Sequence, residues 1–286
     1  METQHVLQHE GAWISYWINR VTGANKTLVM LHGVASNHTR WSEFVEYTEL
    51  KSEWNLLRLD LRGHGDSMYR GRINRHRWVA DLHAIIEKEE LPSVVLLGHS
   101  LGAEIALDFT AAYPDKVAGL ILIDPVFHQN LHGVLGWVRR IQLLLWIPIG
   151  FLWLAQGMGL KRRHYPARDL YALDEKTRAS LRAIPDLKIA DLYMNPLADL
   201  SYIPLENYLQ DLLAVVQPLP LLETIYQPGL VLMSGGSSLS DRRRNELEIR
   251  RMHNVTIKIV DCDHWPLTER PDVVRDVIDN WCKAIL

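Results

Sequence analysis

Six short apolar runs constrain this chain more than any other feature: TLVMLHG (27–33), NLLRLDL (55–61), SVVLLGHS (93–100), AGLILIDP (118–125), GLVLMSG (229–235) and VTIKIVDC (255–262). Near-continuous apolar strands are buried on both faces, and such strands alternating with helices belong to a parallel sheet covered by its own crossovers. The intervening segments fit that demand. Trp78, Val79, Leu82, Ile85 and Ile86 fall at helical spacing, and a second helix runs from Leu101 until Pro114 stops it. Residues 5–10 and 12–18, split by Gly11, read as an antiparallel hairpin ahead of the parallel part. From 126 to about 226 the alternation stops, and a Leu-, Trp- and Pro-rich stretch reads as several short helices. The expected organisation is a strand-helix core, 1–125 and 227–286, interrupted by a helical cap, 126–226. A chain of 286 residues with 48% apolar residues can bury such a core.

Charge and cysteine usage exclude several functions. Lys and Arg number 31 against 34 Asp and Glu, a net charge of -3 with no long run of one sign. Nucleic-acid binding needs a concentrated positive field, so it is not expected. Only Cys262 and Cys282 occur, and the first twenty residues lack both a basic start and a continuous apolar stretch. The expected compartment is therefore the reducing cytoplasm. One segment complicates this: residues 141–160 carry no charge and are flanked by Arg139-Arg140 and Lys161-Arg162-Arg163. Their length would suffice for a membrane span. Strands on both sides of the segment must nevertheless join one sheet, and Pro148, Gly150, Gly157 and Gly159 break it into pieces too short to cross. The expectation is buried cap helices whose Trp137, Trp146 and Trp153 line a pocket, with membrane-surface contact as the alternative.

The chemistry concentrates at Gly98-His99-Ser100-Leu101-Gly102, which follows a buried strand and opens a helix. That is the strand-turn-helix setting of a nucleophile elbow, in which small flanking residues let the turn tighten and hold the serine hydroxyl at the carboxyl edge of the sheet. A serine hydroxyl needs a base. His264, in DCDHWP directly after the last apolar run, is the candidate, because a loop histidine there reaches back over the sheet edge. Two aspartates compete to orient it. Asp124 ends the strand after the nucleophile helix, whereas Asp241 lies six residues past Gly235 where Ser240-Asp241 reads as the start of a helix. Asp124 is preferred and Asp241 is the alternative. Leu31-His32-Gly33-Val34 follows the first buried run, so that the N–H groups of Val34 and Leu101 form a candidate oxyanion hole.

LHG, RLDLRGHGDS (58–67), GHSLGA and the DHWP histidine, in that order, resemble the α/β-hydrolase superfamily over 27–125 and 229–286. The resemblance implies an α/β-hydrolase fold: a mostly parallel sheet of about eight strands flanked by helices, a lid inserted after the sixth strand, and a Ser-acid-His triad. RGHGDS is then expected to be a structural turn bordering the site. The sequence departs from the commonest pattern where an aspartate usually follows the seventh strand; SGGSSLSD has Ser237 and Ser238 there. Relatives without that aspartate can place the acid after the sixth strand, which favours Asp124. A serine nucleophile separates the chain from dehalogenases and epoxide hydrolases, and LGA separates it from carbon-carbon bond hydrolases and receptor-like relatives. The branch it is most similar to is the esterases and lipases.

The sequence therefore predicts a serine esterase acting on small carboxylic esters with a hydrophobic acyl or alcohol group, needing no metal or organic cofactor. Hydrolysis of a thioester, lactone or carbon-carbon bond by the same residues is the enzymatic alternative. A ligand-binding homologue without turnover is the non-enzymatic one.

Overall fold

Each apolar run becomes a strand. In the computed structural model, which describes residues 2–184, 186–193, 195–236 and 240–285, the hairpin forms β1 (Thr3–His9) and β2 (Ala12–Asn19). The six runs form β3 (Thr27–Leu31), β4 (Asn55–Leu59), β5 (Val94–His99), β6 (Val117–Ile123), β7 (Gly229–Ser234) and β8 (Val255–Val260). They build one eight-stranded sheet in the order β1-β2-β4-β3-β5-β6-β7-β8. β2 runs antiparallel to both β1 and β4, and every other pairing is parallel. This is the α/β-hydrolase fold expected from the sequence. The SGGSSLSD departure falls partly outside the described residues, at Ser237 and Ser238.

Outside the insertion, the helices are α1 (Ser42–Tyr47), α2 (Arg75–Lys88) and α3 (Leu101–Ala112). After β6 come α4 (Gly133–Ile141), α5 (Trp146–Gly157), α6 (Leu170–Ala183), α7 (Ile189–Tyr193), α8 (Pro196–Asp199) and α9 (Leu205–Val215). The core resumes after β7 with α10 (Arg242–Ile249), α11 (Pro266–Glu269) and α12 (Pro271–Ile285). Side chains alternate across a strand, so β3 feeds two cores. Val29 and Leu31 join Leu82, Ile85 and Phe109 beneath α2 and α3, while Leu28 and Met30 join Trp41, Ile278 and Cys282 beneath α1 and α12. Both cysteines are buried.

The stretch 141–160 differs from expectation. No single helix among the described residues is long and apolar enough to cross a membrane, and α4 and α5 meet at a bend of 79°. Nor are these helices buried. Only Val138 and Ile149 turn fully inward, whereas Leu143 is 80% and Phe151 73% exposed. An apolar helix has the same composition whether its second face meets protein or solvent, and here the first face alone is used for packing.

Candidate active site

The turn after β5 brings the nucleophile candidate to the sheet edge. Ser100 has φ 52° and ψ −120°, a strained backbone that persists only when its surroundings impose it. Gly98 and Gly102 make it possible. A Cβ on Gly98 would lie 2.3 Å from the Gly102 carbonyl oxygen, and one on Gly102 would lie 2.1 Å from that of Leu31. Ser100 N–H donates to Ile123 O at 2.9 Å, and Asp124 N–H donates to Leu232 O at 2.9 Å. The ladder of the sheet thus continues through Ser100 and Asp124, the candidate nucleophile and acid.

His264 stands between them. Its Nε2 is 3.1 Å from Ser100 Oγ, and its Nδ1 is 3.3 Å from Asp124 Oδ2. The carboxylate can only accept, so the imidazole proton sits on Nδ1, and Nε2 is left to accept from the serine hydroxyl. The Asp124 contact is long for a charge-assisted hydrogen bond, yet Oδ2 is buried and has no hydrogen-bonded donor among the described residues. Such contacts tighten when the imidazole becomes charged. Asp124 Oδ1 is fixed by the Ser234 N–H at 2.7 Å. Burial alone would raise the Asp124 carboxyl, but His264 and the Ser234 N–H outweigh it and hold the group below the ordinary carboxylate range.

Two further histidines frame the base without competing for its role. His99 Nε2 donates to the His264 carbonyl at 3.0 Å, which pins the base's backbone. Burial and the neighbouring His264 push His99 down to about 3, so it stays neutral. His32 accepts from Leu61 N–H at 3.0 Å and donates to Gly33 O at 2.9 Å. Burial and His64 push it down to about 3 as well.

The oxyanion candidates are Leu101 and Val34. Leu101 is the first residue of α3, so its N–H has no carbonyl within the helix to donate to. Val34 follows Gly33, whose Cβ position is only 3.4 Å from Ser100 Cβ. The loop bearing Val34 is held by a contact that sequence reasoning missed. Ala35, with φ 48°, donates its N–H to Asp211 Oδ2 at 3.2 Å. That same oxygen accepts from His64 Nε2 at 2.8 Å. Asp211 comes from α9, where Asn207 also bonds Gly63 O and Tyr69 O and Gln210 accepts from Ile73 N–H. In the sequence, polar residues one turn apart at Asn207 and Asp211, or Glu206 and Gln210, have the spacing of a solvated helix face, and only the structure shows them buried. RGHGDS is indeed a turn beside the site, with Asp60 Oδ2 accepting from Asp66 N–H at 2.7 Å.

Asp241 is not brought to His264. Its side chain accepts from Arg244 N–H at the start of α10. Asp241→Ala is therefore expected to cost about 1 kcal/mol of stability, as loss of a helix cap does, with turnover unchanged; parallel urea unfolding and rate measurements would check both. The tryptophans need correction too. Trp137 is 62% exposed. Trp146 borders a cleft of about 360 Å³ together with Arg72, Arg75, His76 and Asp108, away from the serine. Trp153 is half-buried, its indole N–H unpartnered among the described residues. Each sits on a helix whose apolar residues outnumber the inward positions available. Among the described residues, no three His, Cys, Asp or Glu side chains are grouped to hold a metal ion.

Comparison with known proteins bears on the family and the fold. A sequence model described as the alpha/beta hydrolase family matches residues 28–277. The chain is 32% identical over 98 residues to a lipase of Mycobacterium tuberculosis, covering 34% of this chain and 36% of that protein. It is 22% identical over 267 residues to an sn-1-specific diacylglycerol lipase of Danio rerio, covering 90% of this chain and 78% of that protein. The chain spans 42% and 36% of the length of the curated relatives that match it first. Among solved structures, a thermophilic esterase from Thermogutta terrifontis superposes with a TM-score of 0.69 at 20% identity, covering 100% of this chain and 99% of the other.

Proposed function

Since this chain belongs to the alpha/beta hydrolase family, we propose that it is a serine hydrolase of carboxylic esters working through Ser100, His264 and Asp124. The observation that carries the reading is the position of His264 between the other two, its Nδ1 3.3 Å from Asp124 Oδ2 and its Nε2 3.1 Å from Ser100 Oγ. Ser100 Oγ attacks the ester carbonyl while His264 Nε2 takes its proton, and the carbonyl oxygen gains charge facing the N–H groups of Val34 and Leu101. His264 then gives that proton to the departing alcohol. Water, losing a proton to the same nitrogen, attacks the acyl-enzyme; the acyl C–Oγ bond breaks, His264 returns the proton to Ser100 Oγ, and the acid is released. Asp124 keeps the imidazole in the useful tautomer and stabilises its charged form.

The flanking groups of the substrate are proposed to be apolar. Val126 and Phe127, directly after the acid, are buried hydrocarbon, and Val34 packs against the same cluster. The lipase names of two relatives support the esterase and lipase reading. The test is hydrolysis of p-nitrophenyl esters of increasing acyl length together with fluorophosphonate labelling, for the wild type and Ser100→Ala. Turnover and labelling that both vanish in the variant are expected. Labelling without turnover of any ester would move the proposal to another acyl bond, and a wild type that does neither would overturn it.

A further inference from the structure

The outward side of α4 and α5 has a composition unlike the rest of the surface. Among the described residues twenty-two large apolar side chains are exposed, and nine of them fall between Val134 and Leu160. Trp137, Leu143, Leu144, Ile147, Phe151 and Leu154 are each 60 to 80% exposed. A concentration of this kind marks an interaction site in a folded protein. The helices are not waiting to fold inward, because their inner side is already seated. Val138 and Ile149 are buried, Gln156 bonds Glu206 of α9, and the Arg72 guanidinium lies 5.4 Å over the Trp146 ring.

Charge says what covers this face. Between Asp124 and Asp169 there are 44 residues without one Asp or Glu, and they contain Arg139, Arg140, Lys161, Arg162, Arg163 and Arg168. Arg168 is committed to Asp199, but Arg140, Lys161, Arg162 and Arg163 are exposed where α4 ends and where α5 has ended. The segment thus carries +6 in a chain of net charge -3, leaving -9 on all other residues. A second copy of this chain would bring the same positive segment against itself. Apolar side chains bordered by cations instead match the interface of an anionic bilayer, where hydrocarbon enters the acyl boundary and the cations stay at the headgroups.

We propose that α4 and α5 dock this protein in the plane of an anionic lipid surface. The 79° bend between them lets two short helices lie along the interface without crossing it. α5, with twelve residues, is about 18 Å long, short of the hydrocarbon thickness. The insertion leaves the sheet at the edge holding Asp124, nine residues before α4 begins, so docking sets the catalytic edge close to the membrane. The proposal goes beyond ester hydrolysis and stands without it.

The test is co-sedimentation of the full chain with extruded vesicles of phosphatidylcholine alone or mixed with phosphatidylglycerol, at low and high salt. The variants are Ile147→Glu/Leu154→Glu on α5 and, as control, Leu247→Glu, an exposed apolar position on α10. The wild type is expected to bind the anionic vesicles about ten-fold or more tightly than neutral ones, less so in high salt. The α5 double variant should lose that binding and the control should keep it, with thermal midpoints showing that all three are folded. Absence of binding to anionic vesicles, or equal binding by the double variant, overturns the proposal. So does concentration-dependent self-association in sedimentation velocity that the same double variant abolishes, since the face would then join two copies.

Discussion

Asp124→Asn is expected to lower ester turnover by about 10⁴, the loss seen when a triad acid becomes an amide, with KM little changed. The local geometry explains why. Asp124 Oδ1 is held by the Ser234 N–H at 2.7 Å, so the amide keeps its carbonyl there and turns its NH₂ toward His264 Nδ1. Nδ1 must then accept, the ring proton moves to Nε2, and the nitrogen facing Ser100 can no longer take a proton. The carboxylate charge that stabilises the imidazolium is lost as well. Initial rates on one soluble ester for Asp124→Asn and Asp241→Asn check this. A near-normal rate in the first variant refutes the assignment, and a collapse in the second would move the acid to Asp241.

Asp211→Ala is expected to destabilise the protein by about 3–5 kcal/mol, as removing one member of a buried ion pair does, and to lower kcat in what still folds. His64 and Asp211 are 1% and 0% exposed. Burial on its own would lower the His64 pKa, but the Asp211 carboxylate, through charge and hydrogen bond, raises it above its ordinary 6.5. A raised folded pKa contributes stability that is fully present below the unfolded value and vanishes as pH rises through the folded one. The stability gap between wild type and variant should therefore be widest below pH 6.5 and narrow as pH rises past the folded value of His64. Urea unfolding across that range measures it, and a gap that widens with pH would contradict the pairing. The loss in kcat has a separate origin: Ala35 N–H loses its acceptor beside the proposed oxyanion donor of Val34.

Strands β3 to β7 were legible because burial on both faces leaves no choice of residue type, whereas β8, at the sheet edge, is apolar in sequence yet leaves Ile259 54% exposed. TLVML and AGLILI cannot be read as anything but sheet interior once glycine and proline bound them. Ser100 and Asp124 were legible because each ends such a strand, where alternation fixes direction. His264 was legible from its place after the last run. Asp211 was not, since a buried carboxylate on an amphipathic helix has the same pattern as a solvated one until its partners, 147 and 176 residues away in sequence, are known. The outward face of α4 and α5 was misread for the complementary reason. Apolar content reports that a helix avoids water, not whether protein or another medium takes water's place.

Ser100 and Asp124 are supplied by neighbouring strands whose ladder runs through both residues, and both are in place before the chain enters α4. The distance between the proposed nucleophile and the proposed acid is thus a property of the sheet lattice, set by strand spacing rather than by any loop. Everything between β6 and β7 is in this sense a replaceable module plugged in downstream of a finished two-part socket. Grafting a different module at that point would leave His264 untouched, since it follows β8, and would ask the new segment to supply again the contacts of Asn207, Gln210 and Asp211 with the core.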